Sequence, residues 1–263
     1  MKTISLLGSG WLGLPLAKHF VSKGFVVKAS TRSESRLAGL RDNNTEAFLV
    51  DIDRLDDNIE GFLHTDSLVI NITSKNTDGF RLLVEEIERS TIKNLIFISS
   101  TSVYVNTNKI IREDDVGSFS NSPLLAIEAL FRHAVGFNTT IIRFGGLIGY
   151  SRHPGRFFKQ GKVFSYPDAY VNLIHRDDCI EIISRVIEQQ AWGEVFNCCA
   201  DTHPTKREFY TQASKAMGAT VPRFSESDEV SYKIISNQKV KAVLGYEFLH
   251  ADLMALEFER DDE

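Results

Sequence analysis

The chain has 263 residues, 43% hydrophobic and 25% charged, an ordinary balance for one large α/β domain or a domain with a smaller lobe. Its net charge is −5 with Lys and Arg scattered, which argues against a nucleic-acid partner, since that needs a concentrated basic face. No apolar window of about 18 residues occurs, which argues against a spanning helix and a membrane partner.

In chain order, TISLL (3–7) reads as a buried strand and 11–23 as a helix. FVVKAS (25–30) is a second strand, and SESRLAGLR (33–41) a short helix with Ser33 as its cap. Strands follow at 46–51 and 66–72, then a helix at 78–90 whose apolar residues 80, 83, 84 and 87 share one face. A fifth strand spans 93–100, a helix with Pro123 just inside its start spans 122–135, and a sixth strand spans 139–144. Strands without polar alternation, separated by helices, predict a Rossmann-type doubly wound parallel sheet over residues 1–145. Beyond that, residues 146–263 are expected to complete the sheet and form a small mixed substrate lobe at its carboxyl edge. Their clearest elements are a helix at 177–189, a strand at 194–199 and a helix at 205–217 opened by a Thr205–Glu208 capping box. The N-terminus has no signal-peptide anatomy, and Cys179, Cys198 and Cys199 form an odd set without zinc spacing, so a reduced, cytoplasmic protein is expected.

Gly8, Gly10 and Gly13 have the Gly-x-Gly-x-x-Gly spacing between the first strand and the first helix. The first glycine permits a tight turn, the second lets a pyrophosphate approach the backbone, and the third lets helix and strand pack closely. The helix N-terminus then offers N–H groups and a positive dipole end to the phosphates. Trp11 and Leu12 lie inside this turn, and Trp11 either covers the cofactor or packs in the ordinary way. The second strand ends in Ser30, Thr31 and Arg32 rather than in a carboxylate. A guanidinium there pairs with a 2′-phosphate, so NADP is preferred to NAD.

Four later stretches carry a resemblance: LIFISSTSVYV (95–105), GLIGYSRHP (146–154), VNLIHRDDCIEII (171–183) and EVFNCCADTHPTKREFYTQASKAMG (194–218). Together they resemble the extended short-chain dehydrogenases/reductases of the NAD(P)-dependent epimerase/dehydratase type, and most of all their small atypical, YeeZ-like members. The resemblance implies coenzyme contacts from Asp51 and Ile52 at the third strand's end and from Asn71 and Thr73 at the fourth. It implies that Ser100 hydrogen-bonds the reacting oxygen, though by its position that hydroxyl equally caps the strand end, and leaves Tyr104 as a nearby phenol, either a proton donor or structural. It also implies a homodimer through the helices at 78–90 and 122–135. The Tyr-x-x-x-Lys pair that such enzymes carry is missing, and Ser120 and Leu124 stand at its positions.

Arg152, His153 and Arg156 after the glycine turn are either an anion grip for substrate or a solvated loop. Asn172 either binds substrate or fixes its loop. His175 either faces substrate or is a hydrogen-bonded structural histidine, and Asp177 is expected to cap the helix after it. No metal site is expected, because the acidic runs lack spaced His or Cys. Two functions follow. One is an NAD(P)-dependent oxidoreductase, epimerase or dehydratase with a changed acid/base set, acting on a small molecule such as a nucleotide sugar, ketone or alcohol. The other is a non-catalytic NADP-binding redox sensor or scaffold that controls a protein partner.

Overall fold

The apolar runs of the N-terminal half pair with one another because helices bury them from both faces. The computed structural model describes residues 2–56, 58–157, 163–226 and 229–257. Its elements begin with β1 (Thr3–Leu7), α1 (Gly13–Ser22), β2 (Val26–Thr31), α2 (Leu37–Arg41), β3 (Glu46–Leu49), α3 (Asn58–Leu63), β4 (Ser67–Ile70), α4 (Thr77–Arg89) and β5 (Asn94–Ser100). They continue with β6 (Ile110–Ile111), α5 (Pro123–His133), β7 (Asn138–Phe144), β8 (Gly146–Ile148), β9 (Val163–Phe164), β10 (Leu173–His175) and α6 (Arg176–Glu188). The last are β11 (Val195–Cys198), α7 (Lys206–Ala216), β12 (Arg223–Phe224), β13 (Ile234–Ile235) and α8 (Gln238–Leu244).

Seven strands form one parallel sheet in the order β11-β7-β5-β4-β1-β2-β3. The chain runs outward from β1 through β2 to β3, then returns to β4 on the other side of β1. That reversal between β1 and β4 is the switch point, where an open α/β sheet presents its ligand crevice beyond the strands' carboxyl ends. The register sets Leu7 opposite Ile70, so Gly8 and Asn71 leave the sheet side by side.

Two compact units make up the chain, each built from several segments. The first comprises residues up to Ser99, Asn121–Ile142 and Ile180–Val195. Its core includes Leu7, Ile70, Phe80, Leu83, Phe97, Ile127 and Phe131. The α4 stripe at Phe80, Leu83, Val84 and Ile87 is buried as its spacing predicts. The second unit comprises Ser100–Ser120, Arg143–Cys179 and the chain from Phe196 onward. It holds three small parallel pairs, β8 with β10, β6 with β13 and β9 with β12. The segments following β5, β7 and β11 group with one another in it.

Local capping departs from expectation at two places. Ser33 makes no side-chain cap bond; its Oγ lies 2.8 Å from Ser35 Oγ, and the helix opens as a 3-10 turn at Glu34–Arg36. Helix α6 begins one residue before Asp177, whose N–H donates to His175 Nδ1 at 3.3 Å, so the histidine takes the capping role. Pro123 and the Thr205–Glu208 box stand where expected. Thr205→Ala removes an acceptor from the first turn of α7 and should cost about 1 kcal/mol, read as a lower urea midpoint at unchanged slope. Among the described residues no helix is long and apolar enough to cross a membrane.

Candidate functional site

The three glycines of the β1–α1 turn serve different ends. Gly8 has φ +103°, and a Cβ there would lie 2.4 Å from the Asn71 carbonyl oxygen. At Gly13 a Cβ would lie 2.0 Å from the carbonyl oxygen of Gly8. These two allow the turn and the close packing. Gly10 is different: a Cβ there would meet nothing within 4 Å, so its missing side chain leaves open space. The turn is held from beneath by buried Ser30, whose Oγ accepts from Gly8 N–H at 3.0 Å and whose carbonyl accepts from Ser9 N–H at 3.1 Å.

Helix α1 starts with no side-chain cap and no acidic residue in its first turn, which leaves its positive end uncompensated. Ser9 Oγ is buried and has no hydrogen-bond partner among the described residues. A buried hydroxyl without a partner costs about 1–3 kcal/mol, and a phosphate oxygen in the turn would satisfy it. An open Gly10, an uncapped helix and an orphaned hydroxyl together fit an anionic dinucleotide.

Around this crevice Leu12 is buried and Trp11 half-buried. Thr31 is buried, with Oγ1 accepting from Ser33 N–H at 3.2 Å. Arg32 is exposed and makes no hydrogen bond or ion pair among the described residues. Asp51 Oδ1 accepts from Asp53 N–H at 3.2 Å and so stabilises the turn after β3, beside buried Ile52. Asn71 Nδ2 approaches the Gly8 carbonyl at 3.4 Å, and Thr73 is exposed. Sequence reasoning missed Arg36, whose guanidinium donates to the Ser9 carbonyl at 2.7 Å. Its signal was faint: a second arginine four residues beyond Arg32, brought back by the helix that β2 leads into.

In the second unit, Ser100 Oγ accepts from Ser102 N–H at 3.1 Å, which leaves its own hydrogen to donate. Tyr104 is buried; its hydroxyl donates to Asn197 Oδ1 at 2.9 Å and accepts from Arg143 at 2.5 Å. Burial, its largest influence, pushes the phenol above its usual range despite the facing guanidinium. These contacts hold the Tyr104 hydroxyl between Asn197 and Arg143 within the second unit. Asn172 is used on both sides of its amide, donating to the Lys233 carbonyl at 2.9 Å and accepting from Ile235 N–H at 2.8 Å. His153 is buried and accepts from Gly155 N–H through Nδ1, whereas Arg152 is exposed. His175 lies against Asp177 and His250. A residue the sequence did not single out, Lys233, donates to the Thr101 carbonyl at 2.9 Å and the Tyr104 carbonyl at 2.5 Å. Burial lowers its pKa.

A family profile described as NAD(P)H-binding matches residues 8–189. That span starts at the first glycine of the crevice. The chain belongs to this NAD(P)H-binding family. Protein YeeZ of Escherichia coli K12 is 30% identical over 98% of this chain and 100% of its own length. Among solved structures, UDP-glucuronic acid 4-epimerase from Bacillus cereus, in complex with UDP-glucuronic acid and NAD, has a TM-score of 0.78 at 18% identity, covering 97% of this chain and 96% of the other. A short-chain dehydrogenase/reductase superfamily protein from Agrobacterium tumefaciens with bound NAD has a TM-score of 0.76 at 17% identity, covering 94% and 92%. These two likenesses establish the Rossmann-like, epimerase-type fold.

Ser120 and Leu124, the two positions at which the sequence resemblance expects tyrosine and lysine, hold other chemistry. Leu124 packs against the hydrophobic core of the first unit and has no charge to give. Ser120 Oγ is buried without a hydrogen-bond partner among the described residues, and an alcohol is a far weaker acid than a tuned phenol.

Proposed function

We propose that the chain is an NADP-using oxidoreductase of the epimerase/dehydratase type, acting on a small molecule through an acid/base set unlike the Tyr-x-x-x-Lys pair. The observation that carries this reading is the glycine crevice, with Gly10 open and Ser9 Oγ buried without a partner. When bound, the coenzyme supplies hydride acceptance and donation. The chain's own residues do the rest. Gly8–Gly13 and the α1 N-terminus hold the diphosphate. Asp51, Ile52, Asn71 and Thr73 border the adenosine and ribose. Ser100 donates its free hydrogen to the substrate's carbonyl or alcohol oxygen. Lys233, set against the turn that follows Ser100, supplies a positive charge beside it. Exposed Arg152 takes a substrate carboxylate or phosphate.

The preference for NADP rests on two guanidinium groups after β2, with exposed Arg32 reaching solvent and Arg36 tied to the Ser9 carbonyl. Arg32→Ala should weaken NADP by roughly tenfold to a hundredfold, the value of a charge-assisted hydrogen bond, and leave NAD affinity unchanged. Calorimetric titration of both coenzymes checks this, and equal affinities in the parent protein would remove the preference.

Turnover is tested by following reduced-nicotinamide absorbance against nucleotide sugars, ketones and alcohols, with Ser100→Ala as the control. The uncharged, half-buried Leu124, packed against the core, favours a second reading, a coenzyme-binding redox sensor or scaffold. Tight coenzyme binding without turnover, together with partner capture that follows the coenzyme's redox state, would select it. We place the protein in the cytoplasm, as a homodimer paired through α4 and α5, which sedimentation would test.

A further inference from the structure

The second unit contains a cluster that the coenzyme reading does not use. His175 ends β10, Asp177 lies in the first turn of α6, and His250 follows α8 by six residues. Each offers one donor atom, and the three atoms all lie within 4.8 Å of one another. We propose that His175, Asp177 and His250 form a binding site for a divalent transition-metal ion of the zinc class.

The spacing is that of ligands around a shared centre. Asp177 Oδ2 lies 3.4 Å from His175 Nδ1 and 3.6 Å from His250 Nε2. These separations are too long for good hydrogen bonds. Two metal–ligand bonds of about 2.1 Å meeting at a tetrahedral angle set their donor atoms about 3.4 Å apart. The two imidazole rings are 3.8 Å apart between centroids and inclined at 48°. The Nδ1 lone pair of His175 accepts from Asp177 N–H at 3.3 Å, a capping bond that a metal at Nδ1 would replace. Two imidazoles with one carboxylate suit zinc, cobalt or nickel, and not magnesium or calcium, which take all-oxygen sets.

The surroundings hold these donors in place. Asp178, fully buried, accepts from Tyr246 hydroxyl at 2.6 Å, Leu249 N–H at 2.7 Å and His250 N–H at 3.2 Å, so it pins the 246–250 segment to the start of α6. Tyr150 donates to Asp177 Oδ1 at 3.0 Å, and the Arg176 guanidinium lies 3.6 Å over the Tyr150 ring. Such outer partners orient ligands in metal sites. Gly149, with φ +110°, leaves room for the His175 ring: a Cβ there would fall 2.3 Å from Nε2. The three donors border a cavity of about 120 Å³ that Glu257 also lines. That holds an ion with a few waters at about 30 Å³ each.

The test is calorimetric titration of the untagged full chain, freed of metal by chelator, with Zn²⁺, and Co²⁺ as a spectroscopic probe. One equivalent should bind, with visible bands of low-coordinate cobalt, and Mg²⁺ should not compete. His250→Ala and Asp177→Asn should each weaken Zn²⁺ by more than roughly a hundredfold, and Tyr150→Phe by about tenfold. Circular dichroism of each variant before titration separates a lost ligand from a lost fold. No saturable binding in the parent protein, or equal binding in both ligand variants, would overturn the proposal. Coenzyme affinity, measured in the same variants, is expected to be unchanged.

Discussion

Gly10→Val should abolish coenzyme binding while leaving the fold as stable as before. The site of the missing side chain is open, with nothing within 4 Å of a Cβ, so no protein atom resists the change. A branched side chain would occupy the space reserved for the diphosphate, and the expected loss is at least about a hundredfold, or ~2.7 kcal/mol. Thermal melts with and without NADP read both quantities together, since a ligand at a hundred times its dissociation constant stabilises by about 2.7 kcal/mol. Gly8→Ala gives the opposite pattern. Its Cβ would strike the Asn71 carbonyl at 2.4 Å in a left-handed backbone, so the apo protein itself should lose at least about 2 kcal/mol. Ser9→Ala completes the series: removing an orphaned buried hydroxyl should leave the apo protein unchanged or about 1 kcal/mol more stable, and still weaken the coenzyme. A Gly10→Val protein that kept full NADP affinity would remove the diphosphate from this turn.

The second large effect concerns Arg143. Its guanidinium is buried, donates to Tyr104 hydroxyl and the Glu113 carbonyl, and lies 5.2 and 5.0 Å from the Tyr104 and Phe119 ring centres. Glu113 Oε1 accepts from Asn197 N–H at 2.8 Å, and burial raises that carboxyl's pKa. Arg143→Met leaves these partners buried without their cation, and should cost about 3–5 kcal/mol, or roughly 10 °C of melting temperature in a chain of this size. Tyr104→Phe should cost less, about 1–3 kcal/mol. It also tests the residue's role, because a structural tyrosine loses stability without losing turnover per folded molecule. Activity abolished at unchanged stability would return Tyr104 to catalysis.

Much of the first unit was legible because its signals are local. A buried parallel strand is an apolar run, and α4 announces its buried face by the spacing of Phe80, Leu83, Val84 and Ile87. The Gly8-Gly10-Gly13 turn is readable because each glycine answers a steric demand that no other residue meets. Capping was legible where one short segment closes on itself, as at Thr205 and Glu208. It failed at Ser33 and Asp177, where 3-10 geometry and the His175 ring took the hydrogen bonds. The two-residue strands β6, β9, β12 and β13 are too short to show any period.

The amino-acid order by itself determined the alternating α/β architecture, the glycine crevice and the absence of the Tyr-x-x-x-Lys pair, since each lies within a few consecutive residues. Only the tertiary structure decided that Arg36 returns to the Ser9 carbonyl, that Lys233 braces the turn after Ser100, and that His250 meets His175 and Asp177. Those contacts join residues 27 to more than 100 positions apart, and the sheet and loop geometry that closes such distances leaves no spacing in the chain to read.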